Sequence, residues 1–498
     1  MVIGIDLGTT NSAVAYVDKS GTAQIIPNRE GQRTTPSVIL FDGDVPVVGE
    51  AAKSNSIIDP LNVVQFVKRN IGNENFCFDS DDGEEYRAEE LSAVILKRLK
   101  EDAEDFLGEA VTQAVITVPA YFDDAQRKAT IDAGKIAGLD VLAIINEPTA
   151  AALAYGIDKS EKQRIMVYDL GGGTFDVTIM EISENDVIIN ATCGDRNLGG
   201  FDVDNTIMMY VSDYVSDEYG LDLMDDENAM QDLRLKAESL KKALSSREKA
   251  SISMMAMGKP IKLEFTRDQL FDMIKDKFLD RTTDIMELAK DDAGIHWSDI
   301  SKILLVGGSS RMPAIRQVIK DLTGIEPSAE VNPDEVVAIG AAYYASSLNP
   351  TTVSKARDKK IIDVNSHSLG VITHDDNDNP VNTIILHRNQ PIPAKSEQIF
   401  YTQSDNQNRI LIQVTEGEDE DIDYVKIIGT SELRLNPHPA GSQIRIGISY
   451  DKDGIVHVDV FDLEDNIDLG EMNIERKSNL SQEEIDKSKD KLDKMKID

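Results

Sequence analysis

Two segments of the chain place acidic, glycine and threonine residues in the same order. Asp6-Leu-Gly8-Thr9-Thr10 follows an apolar run from Val2, and Asp169-Leu-Gly171-Gly172-Gly173-Thr174 follows an apolar run from Ile165. Glycine lets backbone N–H groups approach phosphate oxygens closely and adopts the positive φ that such turns require. Threonine hydroxyls add hydrogen-bond donors, and carboxylates can hold Mg²⁺ through water. The paired pattern therefore predicts a site for a nucleoside triphosphate and its metal ion.

Each of these turns needs a pair of strands to hold it. The apolar run before each turn and the alternating segments at 12–17 and 175–180 after them predict strand, tight turn and strand. The interval between the two motifs is far too long for a solenoid repeat. It predicts two similar lobes that present one hairpin each to a shared cleft. The sequence contains neither a Walker A pattern nor a strand-linked Gly-x-Gly-x-x-Gly. This excludes the P-loop and the dinucleotide-binding folds as hypotheses.

The remaining pattern divides the chain into an α/β part and an all-β part. Helical periodicity predicts helices at 89–106, 123–137, 147–155, 228–249, 266–291 and 311–322, with strands at 112–118, 141–145 and 302–306. Strands alternating with helices indicate an α/β architecture. Beyond residue 368, strands at 384–386, 397–402, 410–414, 443–450 and 456–461 predict an all-β domain. Ser481 and Glu484 form a capping-box pattern that predicts a short helix at 481–496.

Composition limits the class of protein and of partner. The 498 residues are 41% hydrophobic and 28% charged, which is typical of a globular protein of roughly three compact units. The net charge of −37 argues against nucleic-acid or anionic-membrane partners. Two distant cysteines and the lack of a signal-like N-terminus or long apolar run lead us to expect a cytoplasmic protein. The acidic runs at 79–85 and 416–423 lack EF-hand spacing, so we interpret them as solvated loops rather than calcium sites.

Five longer motifs resemble the seventy-kilodalton heat-shock chaperones. They are Ile5-Asp-Leu-Gly-Thr-Thr-Asn-Ser12, Val118-Pro-Ala-Tyr-Phe122, Asn146-Glu-Pro-Thr-Ala-Ala-Ala-Leu-Ala-Tyr-Gly156, Asp169-Leu-Gly-Gly-Gly-Thr-Phe-Asp176 and Leu305-Val-Gly-Gly-Ser-Ser-Arg-Met-Pro313. The order of these motifs and their residue sequences distinguish the chain from sugar kinases and bacterial actins, which share the family's fold. The resemblance runs from residue 2 to about residue 495.

The resemblance implies an α/β, two-lobed, actin-like ATPase domain followed by an all-β sandwich that binds peptide and by a short C-terminal helix. The ATPase domain would cover 1–350, with lobe I at 1–162 and 334–350 and lobe II at 163–333. A linker would follow at 351–363, the sandwich at 364–475 and a short helical lid remnant at 476–498. The implied function is that of an ATP-dependent chaperone, which binds and releases extended apolar segments of unfolded proteins as it slowly hydrolyses ATP.

The resemblance also implies roles for individual residues around ATP or ADP and Mg²⁺, with K⁺ as a further candidate ion. The catalytic set is Lys68, Glu147, Asp169, Thr174 and Asp176, and Asp6, Glu147 and Asp169 would hold the metal mostly through water. The nucleotide-binding set is Asp6, Gly8, Thr9, Thr10, Asn11, Gly171, Gly172, Gly173, Glu238, Lys241, Ser245, Gly307, Gly308, Ser309 and Arg311. Hydrolysis of this kind depends mostly on positioning and charge stabilisation.

The same resemblance assigns peptide binding and the coupling between domains to further residues. The peptide-binding set is Val371, His374, Phe400, Gln403, Ile410 and Ile412, and the coupling set is Pro119, Arg127 and Asp363. Unfolded or extended polypeptides and a J-domain co-chaperone are the implied partners. The stretch 251–262 is shorter than the family's exposed loop, so we do not expect the usual bacterial exchange factor to act on this chain.

The chain departs from the family in its linker and lid. Lys359 and Lys360 stand where the family linker is apolar, His374 and Gln403 stand where residues arch over the peptide, and one helix replaces a helical bundle. Two rival hypotheses remain: a non-catalytic member that acts as an exchange factor or scaffold, and a sugar kinase of the same fold. Intact Lys68, Asp169 and Thr174 argue against the first, and the all-β domain argues against the second.

Overall fold

The chain divides into two compact units. The computed structural model describes residues 1–43, 45–80, 83–157, 161–256, 258–328, 330–349, 355–356, 359–375, 377–472 and 479–498. The first unit comprises residues 1–120, 130–361 and 481–498, and the second comprises residues 121–129 and 362–480. Residues 351–354 and 357–358 of the predicted linker, and 476–478 of the predicted lid remnant, lie outside the described residues.

One large sheet of the first unit carries the first of the two predicted phosphate turns. Its strands lie in the order Asp140–Asn146, Gln113–Val118, Val2–Asp6, Asn11–Val17 and Ala23–Ile26, with Thr35–Pro36 paired to Asn11–Val17. Val2–Asp6 is parallel to Gln113–Val118 and antiparallel to Asn11–Val17. Beside this sheet, Val38–Asp42 pairs with Val45–Val48 and Val63–Gln65, and Phe78–Asp79 pairs with Glu85–Tyr86.

A second large sheet of the same unit repeats this arrangement. Its strands lie in the order Lys302–Val306, Gln163–Leu170, Phe175–Ile182, Asp186–Asp195 and Lys360–Ile362. Gln163–Leu170 is parallel to Lys302–Val306 and antiparallel to Phe175–Ile182. Lys249–Ala256 and Lys259–Thr266 form a separate hairpin. In both sheets the strand that precedes the glycine turn has a parallel neighbour on one side and an antiparallel partner beyond the turn, which confirms the predicted strand–turn–strand repeat.

The α-helices match most of the predicted ones. Within the described residues they are Glu50–Asn55, Ala88–Leu107, Asp124–Ile136, Glu147–Gly156, Gly200–Tyr219, Glu227–Ser246, Arg267–Ile274, Asp280–Asp292, Pro313–Thr323, Val336–Leu348 and Gln482–Lys494. Short 3₁₀ turns lie at Pro60–Asn62, Val67–Asn70, Leu223–Asp225, Trp297–Asp299 and Gly308–Arg311. The predicted long helix over 266–291 is present as a continuous helical segment, but a π-helical turn at Lys275–Leu279 divides it into two α-helices. Ile274, Phe278 and Leu279 are all buried, and the wider turn lets this spacing face the core.

Helix Val336–Leu348 packs tightly on the first sheet and on helix Glu147–Gly156. A Cβ added to Gly4 would lie 2.1 Å from the Ala342 nitrogen, and one added to Gly340 would lie 1.8 Å from the Ala150 oxygen. Only glycine permits backbones to approach this closely. This helix is therefore an integral part of the first lobe, although it comes after the whole second sheet in sequence apart from the strand at 360–362.

Helix Gln482–Lys494 also belongs to the first unit. Lys97 Nζ donates to the backbone oxygens of Leu492 and Met495, both at 2.7 Å. These carbonyls lie at the end of the helix, where the helix dipole favours a cation. Ile485 and Leu492 are the buried residues of this helix.

The second unit is a sandwich of two four-stranded antiparallel sheets. One sheet has the order Pro380–Leu386, Leu369–His374, Gln407–Glu416 and Lys426–His438, and the other has Ala394–Tyr401, Gln443–Tyr450, Val456–Asp462 and Ile467–Met472. A 3₁₀ turn lies at Ile422–Tyr424. Apolar residues of both sheets form one core, which includes Leu369, Val371, Ile412, Ile446, Val458 and Val460. The prediction of an all-β domain is confirmed. In the described part of the chain we find no helix with the length and apolar character needed to cross a membrane.

Candidate nucleotide site

Both predicted phosphate turns open into one cleft of the first unit, with a volume of about 460 Å³. The predicted residues that line it are Asp6, Gly8, Thr9, Thr10, Asn11, Lys68, Glu147, Asp169, Gly171, Gly172, Thr174, Glu238, Lys241, Ser245, Gly307, Gly308, Ser309 and Arg311. Gly173 lies against Thr9, and Asp176 is the cross-strand partner of Asp169. The fold thus brings together residues that are far apart in sequence.

The two glycine turns face each other at close range. A Cβ added to Gly172 would lie 2.4 Å from Thr10 Cγ2, and one added to Gly173 would lie 2.6 Å from Thr9 Cγ2. A side chain at either glycine would push the two turns apart. Because Thr9 and Thr10 of one turn and Gly171, Gly172 and Thr174 of the other line the same cleft, the two turns can hold one polyanion from two sides.

The ammonium group of Lys68 lies among three carboxyl groups at the floor of the cleft. Lys68 Nζ donates a hydrogen bond to Glu147 Oε1, and both side chains are buried. Asp6 keeps part of its surface in the cleft, yet burial of its carboxyl group, reinforced by Glu147, raises its pKa to about 7. Burial, reinforced by Glu147 and Asp176, raises the pKa of Asp169 well above its ordinary value. The floor of the cleft therefore favours a further positive charge.

The donors at this floor fit Mg²⁺. Asp6, Glu147 and Asp169 offer carboxylate oxygens, and neighbouring Thr9, Thr10 and Thr174 offer hydroxyl oxygens. Mg²⁺ prefers oxygen ligands and keeps several waters, which suits acids that reach it mostly through water. When bound, the ion would balance the charge of these carboxylates and of the phosphate oxygens.

Charged side chains of helix Glu227–Ser246 also line the cleft. Glu238 receives Lys53 Nζ and Lys242 Nζ, each at 2.6 Å. Burial opposes its ionised form, but the two lysines outweigh it and lower the pKa of Glu238 to about 2. Lys241 Nζ lies 2.8 Å from Asp204 Oδ2, and burial of Asp204, partly offset by Lys241, raises its pKa to about 6. These residues thus offer charges and hydrogen-bond donors for the polar edge of a nucleoside.

The turn after strand Lys302–Val306 forms another wall. Gly307 has φ +77°, and a Cβ there would lie 2.4 Å from the Leu170 oxygen, so the position requires glycine. The 3₁₀ turn Gly308–Arg311 follows, and Arg311 Nη2 donates to Asp334 Oδ2 at 2.5 Å. The guanidinium plane is thereby held at the rim of the cleft.

Among the cleft-lining residues that the sequence did not indicate are Lys53, Phe66, Phe201, Asp204 and Lys242. The spacing of Glu238 and Lys242, four apart on one helix, is the signal that could have revealed Lys242. The other four have no local pattern that marks them, because each reaches the cleft through the packing of distant elements.

Residues predicted to bind peptide lie in the second unit. Val371 and Ile412 are buried in the sandwich core, and the half-buried Phe400 and Ile410 pack against the same core. The other two predicted residues, His374 and Gln403, are exposed.

The three residues predicted to couple the domains are divided between the two units. Pro119 directly follows strand Gln113–Val118 in the first unit. Arg127 and Asp363 belong to the second unit. Arg127 Nε donates to the Phe122 oxygen at 3.1 Å, and Asp363 Oδ1 accepts from the Val364 nitrogen at 2.8 Å.

Two lobes with matching hairpins around a polyanion cleft, followed by a β-sandwich, define a two-lobed actin-like ATPase joined to a sandwich domain. A family model described as Hsp70 protein matches residues 2–498. The chain therefore belongs to the Hsp70 family, whose members are ATP-dependent chaperones. They bind ATP or ADP with magnesium, hydrolyse ATP, and engage unfolded polypeptides and co-chaperones.

Proposed function

We propose that this chain slowly hydrolyses ATP in the cleft and uses the cycle to bind and release extended apolar segments of unfolded proteins. The observation that carries the proposal is the convergence of both glycine turns, Lys68 and three carboxyl groups on one cleft. Such a site can bind a triphosphate, neutralise it and position water, which is most of what phosphoryl transfer requires.

Each group at the floor of the cleft has a distinct task in this proposal. Backbone N–H groups of the two turns bind the phosphate oxygens, and Thr174 adds its hydroxyl. Lys68 stabilises the negative charge that shifts as the terminal phosphate is cleaved. Glu147 holds the Lys68 ammonium group through their hydrogen bond. Asp169 and Asp176, opposite each other on the hairpin, orient water near the terminal phosphate.

Peptide binding is assigned to the sandwich. Alternate residues of strand Gln407–Glu416 face one side, so that Ile410 and Ile412 point inward while Leu411 is exposed. With Val371 and Phe400 they provide an apolar pocket for one side chain of an extended segment, whose backbone adds hydrogen bonds. Because His374 and Gln403 are exposed polar residues, they offer little apolar cover, and we expect binding to be weak and fast.

Coupling is assigned to the linker together with Pro119, Arg127 and Asp363. The Lys360 N–H donates to the Asn185 oxygen at 2.7 Å, and strand Lys360–Ile362 extends the second sheet of the ATPase unit. Lys359 Nζ donates to the backbone oxygens of Gly156 and Ser183 at 2.6 and 2.9 Å. Lysine thus replaces the family's apolar linker contact with hydrogen bonds to carbonyls. A J-domain co-chaperone is the partner that we propose to act on this arrangement.

Single-turnover ATP hydrolysis, measured with and without an apolar peptide, tests the proposal. We expect slow hydrolysis with Mg²⁺ that the peptide accelerates. ATP binding without any turnover would instead indicate a non-catalytic exchange factor or scaffold. Phosphate transfer to a sugar, without a response to peptide, would indicate a sugar kinase.

A further inference from the structure

A cluster of two aromatic rings and two guanidinium groups joins the lobes beside the phosphate end of the cleft. The rings of Phe66, from the first lobe, and Phe201, from the second, have centroids 4.5 Å apart and planes inclined by 60°. The guanidinium carbon of Arg69 lies 4.8 Å from the Phe201 ring centroid. That of Arg234 lies 5.2 Å from the Phe201 centroid and 5.9 Å from the Phe66 centroid. These distances are within the range for aromatic and cation–π attraction.

Phe66 is the residue that starts the turn bearing Lys68. It caps the 3₁₀ turn Val67–Asn70 and adopts the left-handed conformation, with φ 59° and ψ 25°. A bulky residue without glycine's freedom rarely adopts this conformation unless its surroundings impose it. The ring contact with Phe201 is one restraint that acts on this residue from outside the turn. The direction of the Lys68 side chain therefore depends in part on a backbone conformation that a ring from the other lobe helps to hold, beside its own hydrogen bond to Glu147.

Phe201 in turn is attached to the second phosphate turn. The Phe201 N–H donates to the Gly172 oxygen at 2.8 Å, and the Gly200 N–H donates to the Gly171 oxygen at 3.0 Å. The next residue, Asp202, accepts from Arg69 Nη1 at 3.3 Å. The first turn of helix Gly200–Tyr219 therefore contacts the glycine turn on one side and the turn bearing Lys68 on the other.

We propose that Phe66 and Phe201 are positioning residues for Lys68, and that their contact makes hydrolysis depend on closure of the two lobes around the phosphates. When the lobes are closed, the rings fix the turn Val67–Asn70 and hold the Lys68 ammonium group beside Glu147. When the lobes part, the rings separate and the turn loses this restraint from the second lobe. This inference rests on the proposed ATPase activity. It adds that the contact between Phe66 and Phe201 is what links hydrolysis to closure of the lobes.

The contact should affect the chemical step more than nucleotide affinity. Neither ring supplies a hydrogen-bond donor, and the glycine turns and Lys241 are left intact when a ring is removed. Misplacement of a catalytic group by about 1 Å can slow a reaction by about 100-fold. We therefore expect the single-turnover rate to fall between about 10- and 100-fold, while the dissociation constant for ADP with Mg²⁺ changes less than about threefold.

The test uses Phe66→Asn and Phe201→Leu, singly and together, in the full chain. Asparagine tolerates the left-handed conformation and so removes the ring without adding backbone strain. Phe66→Tyr and Phe201→Tyr keep the rings and should restore the rate to within about threefold of the parent. Phe106→Leu is the matched control, because it breaks another aromatic pair, with Tyr16 at 6.3 Å, on an exposed side chain away from the cleft.

The double variant separates positioning from packing. If the two rings act as one device, Phe66→Asn combined with Phe201→Leu slows hydrolysis no more than the slower single variant does, because the contact is already lost. Multiplying effects, or a thermal midpoint that falls while the rate stays at the parent's value, would show that the rings only pack. A parallel loss of ADP affinity would show that they bind nucleotide instead. Any of these three results overturns the inference.

Failure of the wider proposal is distinguishable from failure of this one. If the parent chain does not hydrolyse ATP, the proposed ATPase activity is wrong and this inference falls with it. If the parent hydrolyses ATP and Lys68→Ala abolishes turnover, but the ring variants keep the parent rate, only the role of Phe66 and Phe201 is wrong.

Discussion

Replacing Lys359 with leucine should loosen the linker strand from the ATPase unit. Lys359 Nζ bonds the backbone oxygens of Gly156 and Ser183 at 2.6 and 2.9 Å, and the side chain is half-buried. Gly156 ends helix Glu147–Gly156, where the helix dipole also favours a cation. Leucine would leave both carbonyls without this donor and would add an apolar group beside them.

The expected size follows from the two hydrogen bonds. A hydrogen bond to a charged group contributes about 1.5–3 kcal/mol, and water reaches this half-buried ammonium group, so we take about 2–3 kcal/mol for the two together. At about 1.4 kcal/mol per tenfold, the equilibrium for linker opening should shift by roughly 30- to 140-fold.

Hydrogen exchange at the linker measures this opening directly. The Lys360 N–H donates to the Asn185 oxygen at 2.7 Å. The rate at which this amide hydrogen exchanges with solvent, measured in the presence of ATP, therefore reports how often the strand detaches. We expect Lys359→Leu to accelerate this exchange by the stated factor and to reduce the stimulation of hydrolysis by peptide. Lys360→Leu is the matched control, because the Lys360 side chain is exposed, and its exchange should stay within about threefold of the parent after correction for the intrinsic rate.

If the Lys360 N–H exchanges no faster in Lys359→Leu than in the parent, the bonds from Lys359 to the Gly156 and Ser183 carbonyls do not hold the linker strand in place. If the variant with both lysines replaced by leucine also keeps the parent's peptide stimulation, and its peptide off-rates in ATP and ADP match those of the parent, this linker is not the coupling element.

Four further predictions concern the cleft and the sandwich. Lys68→Ala should abolish turnover but leave ATP binding largely intact, because the glycine turns and Mg²⁺ hold most of the phosphate charge; single-turnover kinetics and equilibrium binding check this. ADP should leave quickly unaided, so stopped-flow release of a fluorescent ADP should not respond to the usual bacterial exchange factor. Peptide should dissociate rapidly, and Phe400→Ala should weaken binding further by about 1–3 kcal/mol, measured by fluorescence anisotropy. A hydrogen bond from His438 Nε2 to Asp462 Oδ2, at 2.7 Å, raises the pKa of His438, so Asp462→Asn should lower that pKa in an NMR titration.

The His438 prediction has a definite sign in stability. Since the folded pKa lies above the unfolded one, the stabilisation is fully present below about pH 6.5 and is lost as the pH rises through the folded value. The sandwich should therefore unfold more easily at pH 8 than at pH 6, and His438→Gln should remove that difference. A stability that rises over this range in the parent, and that His438→Gln leaves unaltered, would contradict the assignment.

Each of the remaining three predictions has an outcome that would contradict it. Parent-like turnover in Lys68→Ala would remove its catalytic assignment. Slow ADP release that the bacterial factor strongly accelerates would show that the short stretch 251–262 does not decide exchange. Unchanged peptide affinity in Phe400→Ala would move the pocket elsewhere on the sandwich.

Local patterns predicted the parts of the fold that are decided locally. The glycine turns, strand Lys302–Val306 and the capping box at Ser481 were all visible in sequence, because each depends on residues within a few positions. Helix Val336–Leu348 was not predicted, since it is apolar on nearly all sides and shows no amphipathic period. Strand Lys426–His438 was also missed: its place in the sheet is set by pairing with a distant strand.

The same distinction holds for the candidate site. Asp6 and Asp169 were predictable because each directly precedes a glycine turn at the end of a strand. Lys53 and Asp204 were not, because they reach the cleft from helices whose orientation only tertiary packing decides. The resemblance pointed to Lys359 as a departure from an apolar linker, but only the carbonyls of Gly156 and Ser183 reveal what the lysine does.

The position of helix Val336–Leu348 has a consequence for synthesis on the ribosome. The first lobe needs this helix to cover its sheet, yet the ribosome makes the helix only after nearly all of the second sheet. At about 5–20 residues per second, the apolar face around Ala13 and Ala15 waits on the order of ten seconds or more for its cover. A nascent chain of this kind is itself, for that interval, an extended polypeptide with an exposed apolar surface, which is the kind of segment that chaperones bind.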